Sequence, residues 1–172
     1  LPDLPTSIMV GTGRAAEMGV LFRKGDALQH LNEVEIIALD KTGTVTEGQP
    51  TLTDLITTQG FERSGTLALI AAVEAQSEHP VAEAIVRSAV EEGLDFPTAT
   101  DFRSVTGYGV EAMVDGRKVL VGADRFMAQQ NIDTKALEAD ERSLAEQGRT
   151  ALYAAIDGSL AAVIAVADPV KA

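Results

Sequence analysis

The stretch "EIIALDKTGTVTEG" constrains this chain more than any other. Ile36, Ile37, Ala38 and Leu39 run without interruption into Asp40, the pattern of a parallel strand buried on both faces. A tight polar loop then breaks it. In an open α/β sheet, ligands gather at the carboxyl ends of strands, where Asp40 would stand. A carboxylate there can serve as metal ligand, general base or nucleophile. Lys41 adds a cation, Thr42 and Thr44 add hydroxyls, and Gly43 permits close backbone approach to a ligand. Backbone N–H groups in such a loop can cradle phosphate. An Asp that attacks phosphorus forms an acyl phosphate, one of the covalent routes open to carboxylates. The plain alternative is an Asp that only starts a turn. A lone D-x-T-G would be read that way; the longer string "DKTGTVTEG" argues against it.

The 172 residues suffice for one large domain, or one domain with part of another. "TSIMVGTGRAAEMG" is expected to form a short helix stopped at Gly19. "VLFRKG" is strand-like, and "DALQHLNEV" suits a turn or two of helix with Asp26 as N-cap. From Pro50 the order changes. "TLTDLITTQ" alternates like a strand with one exposed face. "ERSGTLALIAAVEAQS" and "HPVAEAIVRSAVEEG" read as two helices meeting at Ser77 to Pro80, with Pro80 in the first turn of the second. "GVEAMV-DG-RKVLVG" and "TALYAAI-DG-SLAAVIAV" each place Asp-Gly between strand runs, which predicts two hairpins with type I′ turns. Between them "ADRFMAQQ" and "TKALEADERSLAEQG" read as helices, the second closed by Gly148. The expected fold class is α/β: an antiparallel sheet flanked by helix pairs, over residues 50–166, inserted between residues 1–49 and 167–172 of a second domain.

Composition narrows the functions. The net charge of −12 argues against a nucleic-acid partner, which would require clustered Lys and Arg. With no cysteine, disulfides and thiolate metal sites are excluded. No apolar run reaches the roughly 18–20 residues of a membrane-spanning helix. The opening "LPDLPTSIMVG" carries no initiator Met and no signal-peptide pattern, so the chain is expected to be a piece of something longer.

On these residues the chain resembles a known family. "DKTGT" is similar to the phosphorylation motif of P-type ATPases, which belong to the haloacid-dehalogenase-like phosphotransferases. "SEHP", Ser77 to Pro80, resembles the nucleotide-binding motif of the heavy-metal pumps called P1B. Glu74, five residues before His79, and Gly107-Tyr108-Gly109 match that family in order. The N-terminal "PTSIMVGTGRAAEMGVLFRKGDALQHL" resembles the link from the metal-binding transmembrane helix, and "DPVK" the return to the phosphorylation domain. One position departs: Gly122-Ala123 stands where the family carries Gly-Asn.

The resemblance implies that residues 50–166 form a nucleotide-binding domain. Residues 1–49 and 167–172 would belong to an incomplete Rossmann-like phosphorylation domain of haloacid-dehalogenase type. ATP would bind near Glu74, His79, Gly107, Gly109 and Gly122, with Glu74 and the His79 imidazole addressing adenine. Its γ-phosphate would reach Asp40 with Mg²⁺ bridging; Lys41 would neutralise charge, and Asp40 and Thr42 would hold the Mg²⁺. In the phosphatases of the superfamily a second Asp stands two residues after the first, as general acid/base. Thr42 occupies that position and would slow water attack on a phosphoenzyme, which suits a pump. The implied whole is an integral membrane translocase with this part on the cytoplasmic face, beside an actuator domain. Cu(I) or Ag(I) export is expected, because the linker and loops are most similar to copper pumps; zinc, cadmium, lead and cobalt are the other cargoes. The alternatives are a phosphatase of the same superfamily, or an ATP-binding module without turnover. The chain alone is expected to be inactive. Taken singly each motif is weak: a His at a helix start is commonly a cap, a helical Glu commonly faces solvent, and a Gly-x-Gly commonly marks a bulge.

Overall fold

The computed structural model describes residues 6–24, 27–31, 33–39 and 44–171. Two compact units divide the chain, Leu1–Leu39 and Asp40–Ala172.

In the first unit, helix α1 spans Thr6–Glu17 and buries Ile8 and Ala15, two turns apart on one face. It ends as the sequence predicts. Gly19 takes φ +80°, Gly19 N–H donates to Ala16 O at 3.0 Å, and Val20 N–H to Ala15 O at 2.9 Å. This paired closure needs a left-handed residue at its centre, which glycine adopts without a Cβ clash. Helix α2 spans Ala27–Leu31; its expected cap, Asp26, lies outside the described residues.

Two expected strands are absent here. Residues 20–24 and 33–39 carry no strand. Ile36, Ile37 and Leu39 are 86%, 75% and 71% exposed instead of buried on both faces. The reason is physical. A parallel strand exists through its ladder with neighbours and through helices on its faces. No described residue pairs with this segment, so its apolar side chains stay in solvent.

The second unit is built on a six-stranded sheet. Its strands are β1 (Thr51–Thr57), β2 (Thr100–Val105), β3 (Gly109–Val114), β4 (Arg117–Gly122), β5 (Thr150–Ile156) and β6 (Ser159–Ala167). The order across the sheet is β1-β6-β5-β4-β3-β2, and every neighbouring pair is antiparallel. Both Asp-Gly turns form as predicted. Asp115 and Gly116 have φ +49° and +75°, and Asp157 and Gly158 have +53° and +77°, the double positive φ that matches the twist of the flanking strands. Lys118 N–H donates to Asp157 Oδ1 at 2.9 Å and Arg117 Nε to Oδ2 at 2.8 Å, tying the two hairpins together.

Helices cover both faces. On one lie α3 (Arg63–Glu74) and α4 (Pro80–Glu91), over a core that includes Leu67, Ile70, Ile85, Val121 and Ile164. On the other lie α5 (Asp124–Gln129), a 3₁₀ turn at Lys135–Leu137 and α6 (Glu138–Glu146), over Phe126, Met127, Leu144, Tyr153 and Val163. Period-2 geometry sends Ala162, Ile164 and Val166 of β6 to the first core, and Val163 and Ala165 to the second. That two-sided burial explains why "LAAVIAV" reads as an unbroken apolar run.

The sheet's entry and exit are clasped. Asp168 Oδ2 accepts from Thr46 Oγ1 at 2.5 Å, and Oδ1 accepts from the N–H groups of Gly48 and Gln49 at 3.0 and 3.2 Å. Glu47 N–H donates to Pro169 O at 2.8 Å, and Lys171 N–H to Val45 O at 3.0 Å. Residues 44–49 and 167–171 therefore run side by side before the sheet begins.

Candidate functional site: a cleft between the helix pair and the central strands

The turn between α3 and α4 is built by short-range hydrogen bonds. Glu62 caps α3, its carboxylate accepting from Ser64 N–H at 3.0 Å and Gly65 N–H at 2.8 Å. At the far end Ser77 N–H donates to Glu74 O at 2.9 Å. His79 caps α4: its Nδ1 accepts from Val81 N–H at 3.2 Å, and Pro80 fills the first helical position, where a missing N–H costs nothing. With Nδ1 accepting, a neutral His79 ring carries its proton on Nε2 and can donate to a further acceptor. His79 thus performs the ordinary capping role while keeping its second nitrogen available.

Opposite lies the corner where β2 turns into β3. Tyr108 N–H donates to Val105 O at 2.9 Å, closing the turn. Gly107 sits at φ +76°, in the left-handed region that glycine adopts at little cost. Ala123 N–H donates to Tyr108 O at 3.0 Å and binds this corner to the end of β4. Gly109 and Gly122 face one another across the β3–β4 ladder. A Cβ at Gly109 would overlap the Val121 carbonyl oxygen and come within 2.9 Å of the Phe126 ring. One at Gly122 would overlap the Tyr108 carbonyl and lie 2.8 Å from the same ring. Both glycines are therefore demanded by the packing of this corner. Gly107 differs: a Cβ there would meet only Arg125 Nη2, at 3.9 Å.

Between the two walls is a cleft of about 320 Å³. Glu74, His79, Gly107, Gly109 and Gly122 all line it, although nearly fifty residues separate the first of them from the last. Glu74 is 6% exposed, and burial pushes its carboxyl up to about 7. Tyr108, Ala123 and Arg125 line the cleft as well. Sequence reasoning missed Arg125. Its signal was weak, one arginine in a short helix, and only the fold turns it towards Gly107. The guanidinium lies 5.1 Å from the centre of the Tyr108 ring and its Nη2 donates to Gly107 O.

Asp40, Lys41 and Thr42, the expected catalytic and Mg²⁺-binding residues, lie outside the described residues. Among the described residues no group of three or more His, Asp or Glu could hold a metal ion. What the cleft offers is a largely apolar slot with one buried carboxyl, one imidazole, strand-corner backbone and one guanidinium. That donor set fits an uncharged heteroaromatic group carrying an anionic tail.

Comparison with known proteins agrees in extent. The model of the family described as haloacid dehalogenase-like hydrolase matches residues 34–172. The chain is 53% identical, over 167 residues, to "Copper-transporting ATPase 2" of Rhizobium meliloti (strain 1021), covering 97% of this chain and 20% of that protein. It is 43% identical, again over 167 residues, to the "Copper-exporting P-type ATPase" of Bacillus subtilis (strain 168), covering 97% and 21%. Its fold is similar to the crystal structure of a zinc-transporting PIB-type ATPase in the E2.Pi state. The TM-score is 0.77 at 36% identity, over 98% of this chain and 27% of that one. The chain therefore spans about a fifth of the length of the curated relatives it matches.

Proposed function

The chain belongs to the haloacid dehalogenase-like hydrolases, and from that premise we propose that it is the ATP-binding and phosphorylation region of a heavy-metal P-type ATPase. One observation carries the reading. Glu74 and His79, where α3 meets α4, and Gly107, at the separate corner between β2 and β3, line a single cleft and are each suited to adenine nucleotide. The base would enter the apolar slot, with Glu74 and the Nε2–H of His79 addressing its nitrogen edge and the Gly107 corner flanking it. The γ-phosphate would be transferred to Asp40, with Mg²⁺ held through Asp40 and Thr42 and Lys41 balancing charge; the metal ion supplies electrostatic stabilisation of the transferring group. The cargo is Cu(I) or Ag(I), exported. The copper-transporting relatives, at 53% and 43% identity, support this over zinc, whose transporter stands at 36%. The cargo would bind in a membrane-embedded part of the same pump, with an actuator domain as the other partner and this region on the cytoplasmic face. Among the described residues no helix is long and apolar enough to cross a membrane.

A nuclear magnetic resonance titration with ATP tests the site. A Kd of about 0.1–1 mM is expected, equivalent to roughly −4 to −5.5 kcal/mol. Shifts should centre on Glu74, His79 and Gly107, and His79→Ala or Gly107→Asp should weaken binding severalfold. Shifts elsewhere, or none, would remove the cleft from the reading.

A further inference from the structure

We infer that Arg125 reads the anionic tail of the nucleotide, exchanging its bond to the Gly107 carbonyl for bonds to phosphate oxygens. This rests on the reading of the cleft as a nucleotide site, and names the residue that distinguishes a polyphosphate from a monophosphate.

Three observations converge on Arg125. It supplies the only permanent positive charge among the described residues lining the cleft, whose other ionisable side chains are Glu74, His79 and Tyr108. The chain has a net charge of −12, so a polyanion approaching it meets a repelling field unless a local cation offsets it. Second, the guanidinium is already aimed and held. It rests against the Tyr108 ring at 5.1 Å and uses Nη2 on the Gly107 carbonyl. Planar guanidinium carries five N–H donors in a fork that matches phosphate oxygens, and stacking on an aromatic face fixes its plane at little entropic cost. Third, the cleft is polarised. Glu74 is buried in one wall, whereas Arg125 is exposed. Ala123, beside Arg125, offers no polar side chain and gives α5 no side-chain cap bond. An amphipathic ligand with a neutral ring and a charged tail lowers its desolvation cost by placing the ring at Glu74 and the tail at Arg125.

Calorimetric titration of the whole chain with ATP, ADP, AMP and inorganic pyrophosphate is the test, run on the unsubstituted protein, Arg125→Gln and Arg125→Lys. The unsubstituted chain should bind ATP about fivefold or more tightly than AMP, and the ratio should shrink between about 50 and about 300 mM salt as screening grows. Arg125→Gln should bring ATP to within about twofold of AMP while AMP itself changes by less than about twofold. Arg125→Lys should keep part of the preference, since it retains the charge but loses the fork. An ATP-to-AMP ratio unchanged in Arg125→Gln would overturn the inference and leave the cleft's nucleotide reading standing. Equal losses for ATP and AMP would overturn it too, showing that Arg125 only shapes the Gly107 turn. Pyrophosphate binding as tightly as ATP would overturn it by reducing the cleft to a general anion site. No binding of any nucleotide to the unsubstituted chain would overturn both the inference and the reading beneath it.

Discussion

Glu74 carries a measurable cost of its position. Burial raises its carboxyl from the usual value near 4.5 to about 7. Below pH 4.5 the group is protonated whether the chain is folded or unfolded, and pH has no effect through it. Between the two values the folded chain keeps a proton that the unfolded chain releases, so stability falls as pH rises. Above about pH 7 the folded chain holds a buried charge. The cost levels off there at about 3 kcal/mol, because the interval between the two values is worth roughly 1.4 kcal/mol for each step of one in pH. Glu74→Gln keeps the shape and removes the charge. The variant should be more stable than the parent by up to about 3 kcal/mol at pH 8 and nearly equal to it at pH 4. Urea unfolding at the two pH values reads this directly; equal differences at both would mean that the carboxyl is solvated and its pKa ordinary.

At the scale of single elements, α5 begins poorly. Ala123 stands at its N-cap with extended backbone, φ −69° and ψ 164°, and no side-chain hydrogen bond. The backbone is already in the conformation that a capping Asn adopts, so Ala123→Asn should add about 0.5–1 kcal/mol to folding stability without nucleotide. It also places an amide in the cleft, and ATP should bind more tightly by about 0.5–1.5 kcal/mol, the worth of one net hydrogen bond. Denaturation and calorimetry on the same variant separate the two gains; a rise in stability without tighter binding would make position 123 a cap alone. Elements of this kind were legible in proportion to how local their causes are. The Asp-Gly turns, the Gly19 closure and the meeting of α3 with α4 at His79 and Pro80 follow from a few adjacent residues. Strand β2 was not foreseen. It is an edge strand with Asp101 at φ +53° and a register shift between Thr100 and Arg103, so it shows no alternation to read. Gly109 and Gly122 were read from the sequence as site residues; they line the cleft, and the fold adds a demand of its own. Their absent Cβ atoms make room for the opposing strand and Phe126, a constraint across the sheet that no single segment displays. Arg125 was invisible for the same reason, since its partners Gly107 and Tyr108 come from another hairpin.

For the whole molecule, the two units differ in how well their apolar residues are used. The sheet of Thr51 to Ala167 buries both faces under helices, and every described residue of the candidate cleft belongs to that unit. In the segment leading to Asp40, Ile36, Ile37 and Leu39 lie largely in solvent with no strand around them. Phosphoryl transfer depends on holding donor and acceptor in line, within about 3–3.5 Å of one another. In an open α/β sheet an acceptor at the carboxyl end of a strand takes its position from that strand's ladder and packing, and the described residues 33–39 form no strand. The chain should therefore bind ATP in the cleft yet neither hydrolyse it nor accumulate an acyl phosphate at Asp40. Incubation with γ-labelled ATP and Mg²⁺, acid quench and gel separation measures this. Background label is expected, equal in the parent chain and in Asp40→Asn. A hydroxylamine-sensitive band present in the parent and lost in Asp40→Asn would show that the acceptor is assembled after all, and that the exposed segment orders when nucleotide binds.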